Sequence, residues 1–337
     1  MKKYYSVSAI LSVLFFCLIS LPSCARDAEP FVRQTFVMGT RGTITIYGLS
    51  SDDSETAAVE AISEMHRIES VMSTWKEKSE ISRLNRNSQG QPVRVSAELF
   101  LVLEKAYRFS ELTGGAFDVT ARPVVRLWGF QGGEAKLPSE AEIADALSKV
   151  GWRKMILDAE DTTVTLIGGS SIDLAGIGKG YAVDRCVEIL GDHGVESALV
   201  DLGGNMFAIG APPGREAWSI GIRDPEDLSG VIGKMLISNE AIATSGNYEN
   251  FVVIDGKRYG HIVDPRVGMT VDHLLGVTVI APSATESDAL STGFFVLGPE
   301  DGQRLGETLP HISAVFALPD DVFEFVGDFG GRLELFD

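Results

Sequence analysis

Asp173-Leu174-Ala175-Gly176-Ile177-Gly178-Lys179-Gly180-Tyr181-Ala182-Val183-Asp184 is a stretch in which a β-rich segment leads into a helix through three glycines and one lysine. Such a turn brings backbone N–H groups, a helix N-terminus and an ammonium group together, and this combination suits an anionic phosphate. The glycines alternate, and Asp173 stands where a Walker A motif has its first glycine, so both common nucleotide fingerprints are missing. Taken alone, the stretch is equally compatible with a tight strand-to-helix turn.

Short β segments and amphipathic helices alternate irregularly around this stretch. Apolar residues recur every three or four positions in several segments, whereas the chain after Met155 is dominated by short β segments, including Ser171 to Leu174. This order predicts an α+β fold with mixed or antiparallel sheets and interleaved helices in a single compact catalytic unit. The predicted helices cover Ala58 to Met72, a segment from Ser96, a segment from the capping box Ser139-Glu142 to near Gly151, Tyr181 to Leu190, and Ala284 to Leu297.

The first residues have the pattern of a secretory signal. Lys2 and Lys3 precede an almost wholly apolar run from Val7 to Leu21, which is too short for a membrane span. Cys24 follows a small residue and resembles the lipidated cysteine of bacterial lipoproteins. We therefore predict a signal peptide over 1–23, a lipid anchor on Cys24, and an exported, membrane-anchored protein that faces the periplasm; a plain signal peptide cut nearby is the alternative.

Charge limits the class of partner. The formal net charge of −18 argues against nucleic acid or an anionic membrane surface as the main partner. A polyphosphate ligand would be repelled at long range, so its binding requires a bound cation. Cys186 is the only cysteine after Cys24, and it is predicted to be a buried core residue rather than part of a disulfide.

Asp288 and Thr292 are candidate ligands of a metal ion. Ser283-Ala284-Thr285-Glu286 is a second capping box, so these two residues fall four apart inside a helix with their side chains on one face. A carboxylate, a hydroxyl and a backbone carbonyl are sufficient for Mg²⁺, which keeps waters and takes substrate phosphates. The alternative is that Thr292 bonds to its own helix backbone while Asp288 faces solvent.

His261 is a candidate general base. It lies in Gly256-Lys257-Arg258-Tyr259-Gly260-His261-Ile262-Val263-Asp264-Pro265-Arg266, between a hairpin and a turn. An imidazole can remove a proton from an attacking hydroxyl near neutral pH, although a structural role is the alternative. Asp264 is interpreted as the residue that initiates the turn before Pro265.

Nine short motifs occur together and in a fixed order. They are Met38-Gly39-Thr40, Ser73-Thr74-Trp75, Ser79 to Asn85, Gly114 to Asp118, Asp173 to Asp184, Asp201-Leu202-Gly203-Gly204-Asn205, Ala243-Thr244-Ser245-Gly246, His261 to Arg266, and Asp288 to Thr292. In this order they resemble the FAD:protein FMN transferases, the ApbE-type family, from about Thr35 to Leu297. The chain departs from the family pattern in small ways, such as Gly178 where many members have alanine.

The resemblance implies an enzyme that binds FAD as its substrate, uses Mg²⁺, and attaches FMN through a phosphoester to a Thr or Ser of an exported or membrane target protein, with release of AMP. It implies that His261 and Asp288 are catalytic and that Mg²⁺ is held by Ala175, Asp288 and Thr292. The residues that it implies for the FAD site are Met38, Ser73, Thr74, Trp75, Asp118, Lys179, His261 and Ile262. The predicted domain is a catalytic unit over 31–337.

Three other functions use the same residues. An FAD-binding lipoprotein could store or deliver the cofactor without cleaving it, and an FAD pyrophosphatase would use water as the acceptor. A redox flavoprotein would keep FAD throughout turnover. A metal pair beside the phosphates favours cleavage over storage.

Overall fold

The computed structural model describes residues 29–336 except 132–134, 228 and 249. The predicted signal peptide over 1–23 and the predicted lipid anchor on Cys24 lie outside the described residues. Within the described ranges, no helix combines the length and the hydropathy that a membrane crossing requires.

Strands and helices alternate along the chain without a regular repeat. The strands are β1 (Phe31–Val37), β2 (Thr40–Tyr47), β3 (Val93–Arg94), β4 (Met155–Asp158), β5 (Thr163–Leu166), β6 (Ser197–Leu202), β7 (Asn205–Ile209), β8 (Trp218–Arg223), β9 (Val231–Ile237), β10 (Glu240–Gly246), β11 (Phe251–Ile254), β12 (Lys257–Gly260), β13 (Gly276–Ala281), β14 (Ser313–Leu318), β15 (Val322–Val326) and β16 (Leu333–Leu335). The helices are α1 (Ser51–Met72), α2 (Glu80–Asn87), α3 (Ala97–Leu112), α4 (Arg122–Leu127), α5 (Glu140–Leu147), α6 (Gly178–Asp192) and α7 (Ala284–Gly306).

One eight-stranded sheet organises the fold. Its spatial order is β1-β2-β6-β7-β10-β13-β14-β15, and every adjacent pair runs antiparallel. Two three-stranded sheets, β16-β9-β8 and β3-β5-β4, and the hairpin β11-β12 complete the strands of the described residues. The prediction of an α+β fold with antiparallel sheet and interleaved helices is therefore confirmed.

The helices α1, α6 and α7 pack against the large sheet. Met65 of α1 and Val183 of α6 join Ile44 and Val200 of the sheet in one core cluster. Phe294 of α7 belongs to a second cluster with residues of β13 and β14. The N-terminal turns of α6 and α7 lie side by side, since the N–H of Gly180 bonds to Asp288 and the N–H of Ala284 bonds to Asp184.

The sheet β16-β9-β8 covers a different part of the large sheet. Trp218, Ile220 and Ile222 of β8 are buried, whereas the residues between them are exposed. Trp218 and Met235 pack with Ile242 and Ile280 of the large sheet. This alternation is typical of a strand with one face on a core and one face in solvent.

Cys186 is buried in α6, as its position in the helix predicted. Its Sγ lies 3.3 Å from the carbonyl oxygen of Ala61, and burial raises the pKa of the thiol. The thiol therefore stays protonated and acts as a core side chain.

Several predicted elements differ from the observed ones. The helix α1 begins at Ser51 instead of Ala58, α5 ends at Leu147 instead of near Gly151, and α7 continues past Leu297 to Gly306. The predicted strand Ser171 to Leu174 is wrong, because only an isolated bridge between Ser171 and Ala121 is formed there. The side chain of Asn85 instead bonds to both the N–H and the C=O of Ile172. The helix predicted over Tyr181 to Leu190 begins earlier, at Gly178, so Lys179 lies in its first turn.

Candidate functional site

A cleft of about 290 Å³ opens where the N-terminal ends of α6 and α7 meet the segment after β12. Predicted site residues from four separate motifs line it, and these motifs are spread over more than a hundred residues of the chain. These residues are Asp118, Ala175, Lys179, His261, Ile262, Asp288 and Thr292.

The close contact between α6 and α7 depends on Gly180. A Cβ atom at Gly180 would lie 2.1 Å from the carbonyl oxygen of Ala284 and 2.7 Å from the Cβ of Asp288. By contrast, an added Cβ at Gly178 would meet nothing closer than 3.8 Å. The site therefore has room for the alanine that many family members carry at position 178, but not for a side chain at position 180.

Asp288 is buried beneath the first turn of α6. Its Oδ2 accepts a hydrogen bond from the backbone N–H of Gly180 at 2.9 Å. Burial raises the pKa of the Asp288 carboxyl, the ammonium of Lys179 and the Gly180 N–H act against that rise, and the nearby carboxylate of Asp184 adds to it. A buried carboxylate with few compensating partners gains stability from a cation.

A cationic group already lies between two of the predicted metal ligands. The Nζ of Lys179 is 3.2 Å from the carbonyl oxygen of Ala175 and 3.8 Å from Oδ1 of Asp288. Thr292 lies one turn further along α7 and also lines the cleft. Its hydroxyl forms no hydrogen bond with the described part of the chain, so the alternative in which Thr292 bonds to its own helix backbone is not observed.

These donors fit a hard cation. They are a carbonyl, a carboxylate and a hydroxyl, all oxygen atoms, and Mg²⁺ prefers such ligands together with waters and phosphate oxygens. Among the residues that the structure describes, no group of three or more His, Cys, Asp or Glu side chains is gathered as a metal site. The predicted ligand set thus contains one carboxylate, that of Asp288, which suits an ion that a substrate diphosphate helps to hold.

The helix α7 has a cap that the sequence pattern did not reveal. The carboxylate of Asp184 accepts hydrogen bonds from the backbone N–H groups of Ala284 and Thr285, at 2.7 and 2.9 Å. The hydroxyl of Ser283 accepts one from the N–H of Glu286, as the capping-box motif predicted. Asp184 therefore connects α6 to the N-terminus of α7 and helps to fix Asp288 one turn further on.

His261 enters the cleft from the segment after β12. Its Nδ1 lies 3.1 Å from the carbonyl oxygen of Asn250. Because a carbonyl only accepts, Nδ1 carries the proton in this hydrogen bond and Nε2 is left as the basic nitrogen. Burial, and secondarily the charge of Lys179, lower the pKa of His261 to about 4. The imidazole is therefore neutral at physiological pH and can accept a proton.

Asp118 lines the cleft but is already bonded to the protein. Its Oδ1 accepts from the N–H and the hydroxyl of Thr120, at 2.8 and 2.6 Å, and its Oδ2 accepts from the N–H of Trp152 at 2.8 Å. Burial raises its pKa, while these hydrogen bonds act against the rise. Asp118 thus lines the cleft and also holds the neighbouring segments at Thr120 and Trp152 in place.

Four predicted FAD-site residues lie around the cleft rather than in its lining. Thr74 donates to Oδ1 of Asp173, which does line it, at 3.4 Å. Ser73 is the C-cap of α1, and its hydroxyl accepts from the N–H of Trp75, whose side chain is 70% exposed. Met38 occupies the turn between β1 and β2, with φ of 53°, and its methyl group approaches Gly178.

Among the cleft residues that were not predicted as site residues, Asn205 and Arg122 each have a buried polar atom without a partner in the described part of the chain. Asn205, at the start of β7, is buried, and its side-chain oxygen has no partner in the described part of the chain. Arg122 is half-buried, and burial lowers the pKa of its guanidinium, although Asp173 partly compensates. Asn205 is the last residue of the motif Asp201 to Asn205, and that motif could have identified it as a site residue. Arg122 belongs to none of the nine motifs.

Comparisons with known proteins identify relatives over most of the chain. The family model described as the ApbE family matches residues 38–316. The chain is 33% identical over 330 residues to an FAD:protein FMN transferase of Treponema pallidum, covering 92% of this chain and 91% of that protein.

Solved structures show the same fold. A crystal structure of an ApbE protein from Thermotoga maritima superposes with a TM-score of 0.83 at 33% identity, covering 89% of this chain and 97% of that one. The flavin transferase ApbE from Vibrio cholerae superposes with a TM-score of 0.80 at 31% identity, covering 89% of this chain and 98% of that one. The resemblance that the motifs indicated is confirmed over most of the described chain.

Proposed function

The chain belongs to the ApbE family and is a transferase, and we propose that it transfers FMN from FAD to a Thr or Ser hydroxyl of a target protein, with Mg²⁺ and with release of AMP. The observation that carries this proposal is the presence of His261, Lys179 and Asp288 in one cleft. A neutral imidazole, an ammonium and a set of oxygen ligands are the groups that a phosphoryl transfer needs.

The residues have separate roles in this mechanism. The acceptor hydroxyl attacks the FMN-side phosphorus of FAD, and Nε2 of His261 takes its proton as the new P–O bond forms. The bond from that phosphorus to the bridging oxygen breaks, and AMP leaves with the bonding electron pair. Lys179 contributes positive charge beside the diphosphate, which stabilises the charge that builds on the leaving oxygen.

Ala175, Asp288 and Thr292 would hold Mg²⁺. The ion, when bound, neutralises phosphate charge and acts as a Lewis acid on the phosphoryl oxygens. This role answers the electrostatic problem that a charge of −18 poses for a diphosphate ligand. The N-terminal end of α6 also lies at this cleft, and the positive end of its helix dipole favours the negative charge of the diphosphate.

Mass spectrometry tests the transfer. The protein is incubated with FAD, Mg²⁺ and an extract of exported and membrane proteins, and tryptic peptides are searched for FMN phosphoesters on Thr or Ser. We expect protein-bound FMN and AMP in equal amounts with the wild type and neither with His261→Gln. Release of free FMN and AMP without any adduct would instead identify an FAD pyrophosphatase, and FAD that stays intact would identify a storage protein.

We also propose that the protein is exported and anchored through Cys24 to a membrane, facing the periplasm. The support is the charged start, the apolar run and the cysteine at position 24. Radiolabelled palmitate should appear in the wild type and not in Cys24→Ala. Label in both, or in neither, would contradict the anchor.

A further inference from the structure

A second groove, of about 760 Å³, adjoins the catalytic cleft. The two cavities share Lys179, Asn250 and His261 in their walls. From there the groove runs between the β1–β2 turn and the strand β8, over a floor that includes Met206 and Ile242. A molecule in the groove would therefore reach the imidazole of His261.

One wall of this groove is the edge of β8. Four consecutive residues, from Ile220 to Arg223, line it. The side chains of a strand alternate between its two faces, so a groove that contacts consecutive residues faces the strand edge rather than either face. β8 is the terminal strand of the sheet β16-β9-β8, and within the described residues it pairs only with β9.

The ladder registers show which backbone groups point into the groove. The N–H of Leu236 bonds to the C=O of Arg332 in the β16 segment, so Met235 directs its own N–H and C=O toward β8. Met235 is opposite Ile220, and Ile220 therefore uses its backbone groups within the ladder. The neighbouring residue Gly221 then directs its N–H and C=O away from β9, toward the groove.

We propose that the target protein binds this groove as an extended segment that adds a strand to the outward edge of β8 at Gly221, with its acceptor hydroxyl placed at Nε2 of His261. This inference rests on the proposed FMN transfer and names how that reaction recognises its protein substrate. The groove is continuous with the cleft at His261, and an open strand edge is completed by another extended peptide backbone. Main-chain hydrogen bonds supply affinity, and the floor receives every second side chain of the segment.

A proline substitution at Gly221 tests the backbone contact. Proline lacks the N–H, and at this position the lost donor is the outward one, so no donor of the ladder with β9 is removed. The added Cβ would lie 3.1 Å from a methyl group of Val231 on β9, so that side chain must shift slightly. Ser219→Pro is the matched control: Ser219 has the same outward orientation two residues earlier but lies outside the groove. The probe is the flavinylated peptide recovered from the mass-spectrometric experiment, synthesised without FMN.

We expect Gly221→Pro to raise the KM for this peptide about tenfold, because it loses one hydrogen bond and gains a steric obstacle, while Ser219→Pro matches the wild type. The dissociation constant for FAD should stay unchanged in both variants. An unchanged peptide KM in Gly221→Pro would overturn the proposal. A weaker affinity for FAD in that variant would assign the groove to the dinucleotide and overturn it as well.

A second test does not depend on how the variant folds. Peptides carrying one N-methylated backbone amide at each position in turn are assayed with the wild-type protein. A strand on β8 predicts that N-methylation is harmful at every second position only, since alternate amides point toward β8. Equal effects at all positions, or none, would refute strand addition. Absence of any flavinylated peptide from the wild type would instead refute the proposed function, and this inference with it.

Discussion

The backbone N–H of Gly180 donates to Oδ2 of Asp288 at 2.9 Å, although the two residues are 108 positions apart. This bond holds the predicted metal carboxylate against the first turn of α6. It exists because a glycine lets the two helices approach until a Cβ would lie 2.1 Å from a backbone oxygen. The arrangement of the site therefore depends on the absence of a Cβ atom at position 180.

Gly180→Ala should destabilise the protein by about 1–3 kcal/mol, because the extra methyl group forces α6 and α7 apart. Gly178→Ala is the matched control in the same helical turn, where an added Cβ has room. It should change the free energy of unfolding by no more than about 1 kcal/mol, in the stabilising direction that alanine favours in helices. Urea unfolding followed by circular dichroism measures both. Equal effects of the two substitutions would contradict this explanation.

Asp288→Asn should abolish Mg²⁺-dependent release of AMP from FAD, a loss of at least about 100-fold, because a neutral amide is a poor ligand for Mg²⁺. The apo protein should still fold, because the substitution removes a carboxyl group whose charged form is disfavoured by burial. Titration of AMP release against Mg²⁺ measures the loss. A second measurement follows the melting temperature, which Mg²⁺ with FAD should raise in the wild type but not in the variant.

Glu286→Gln is the control for this substitution. Glu286 lies on the same helix and pairs with His311, away from the cleft. The Glu286→Gln protein should keep both the Mg²⁺-dependent release of AMP and the rise in melting temperature with Mg²⁺ and FAD. Normal AMP release by Asp288→Asn would show that the ion, if required, binds elsewhere.

Much of the site could be predicted from the sequence because helical periodicity is local. The spacing of Asp288 and Thr292 predicted one shared face, and both line the cleft. Long-range hydrogen bonds could not be predicted in this way. The strand predicted over Ser171 to Leu174 does not form because Asn85, 87 positions away, takes both backbone groups of Ile172.

The cap of α7 illustrates the same limit. Ser283 and Glu286 have the capping-box spacing, and the serine half of that motif is present. However, the carboxylate of Glu286 pairs with His311, and the remaining N–H groups are taken by Asp184, a hundred positions earlier. No pattern of neighbouring residues encodes that contact.

Asp184→Ala should cost about 1–2 kcal/mol of stability, as expected for loss of a helix N-cap with two backbone hydrogen bonds. It should also weaken the apparent affinity for Mg²⁺, because Asp288 lies one turn from the freed helix end. Asp192→Ala, at the exposed end of α6, provides the control and should be neutral in both measurements. A stable Asp184→Ala protein would contradict the capping role.

The acid dependence of transfer should reflect the lowered pKa of His261. With a pKa of about 4 instead of the usual 6.5, the base remains neutral well into the acidic range, so kcat/KM should fall only as the pH approaches 4. His261→Gln should reduce transfer about 10²–10⁴-fold, the usual contribution of a general base. A decline centred near pH 6.5 would contradict the burial of this imidazole.

Two further observations follow from the same pKa. In the free protein, NMR titration should place the pKa of His261 higher in Lys179→Gln than in the wild type, because one cause of the lowering is removed. The same pKa makes the free energy of unfolding depend on pH. Between pH 6.5 and about 4, His261 binds more protons in the unfolded chain than in the folded one, so the free energy of unfolding decreases as the pH falls. The contribution of His261 is therefore complete above pH 6.5 and is lost as the pH falls through 4.

Asn205 should show opposite effects on stability and on binding. Its buried side-chain oxygen has no partner within the described residues, although it lines the cleft. An unsatisfied buried acceptor destabilises the apo protein, so Asn205→Leu should leave the melting temperature of that form unchanged or higher. If a donor of FAD satisfies this oxygen, the same variant should bind FAD about tenfold more weakly.

Asn85→Leu is the matched comparison for that variant. Both polar ends of the Asn85 side chain are used, at 2.8 and 2.7 Å, by the backbone of Ile172. Its loss should lower the melting temperature, because it leaves two buried backbone groups without partners. Calorimetry of the apo forms and fluorescence titration with FAD separate the two cases. A destabilised Asn205→Leu with unchanged FAD affinity would mean that Asn205 supports the fold rather than the ligand.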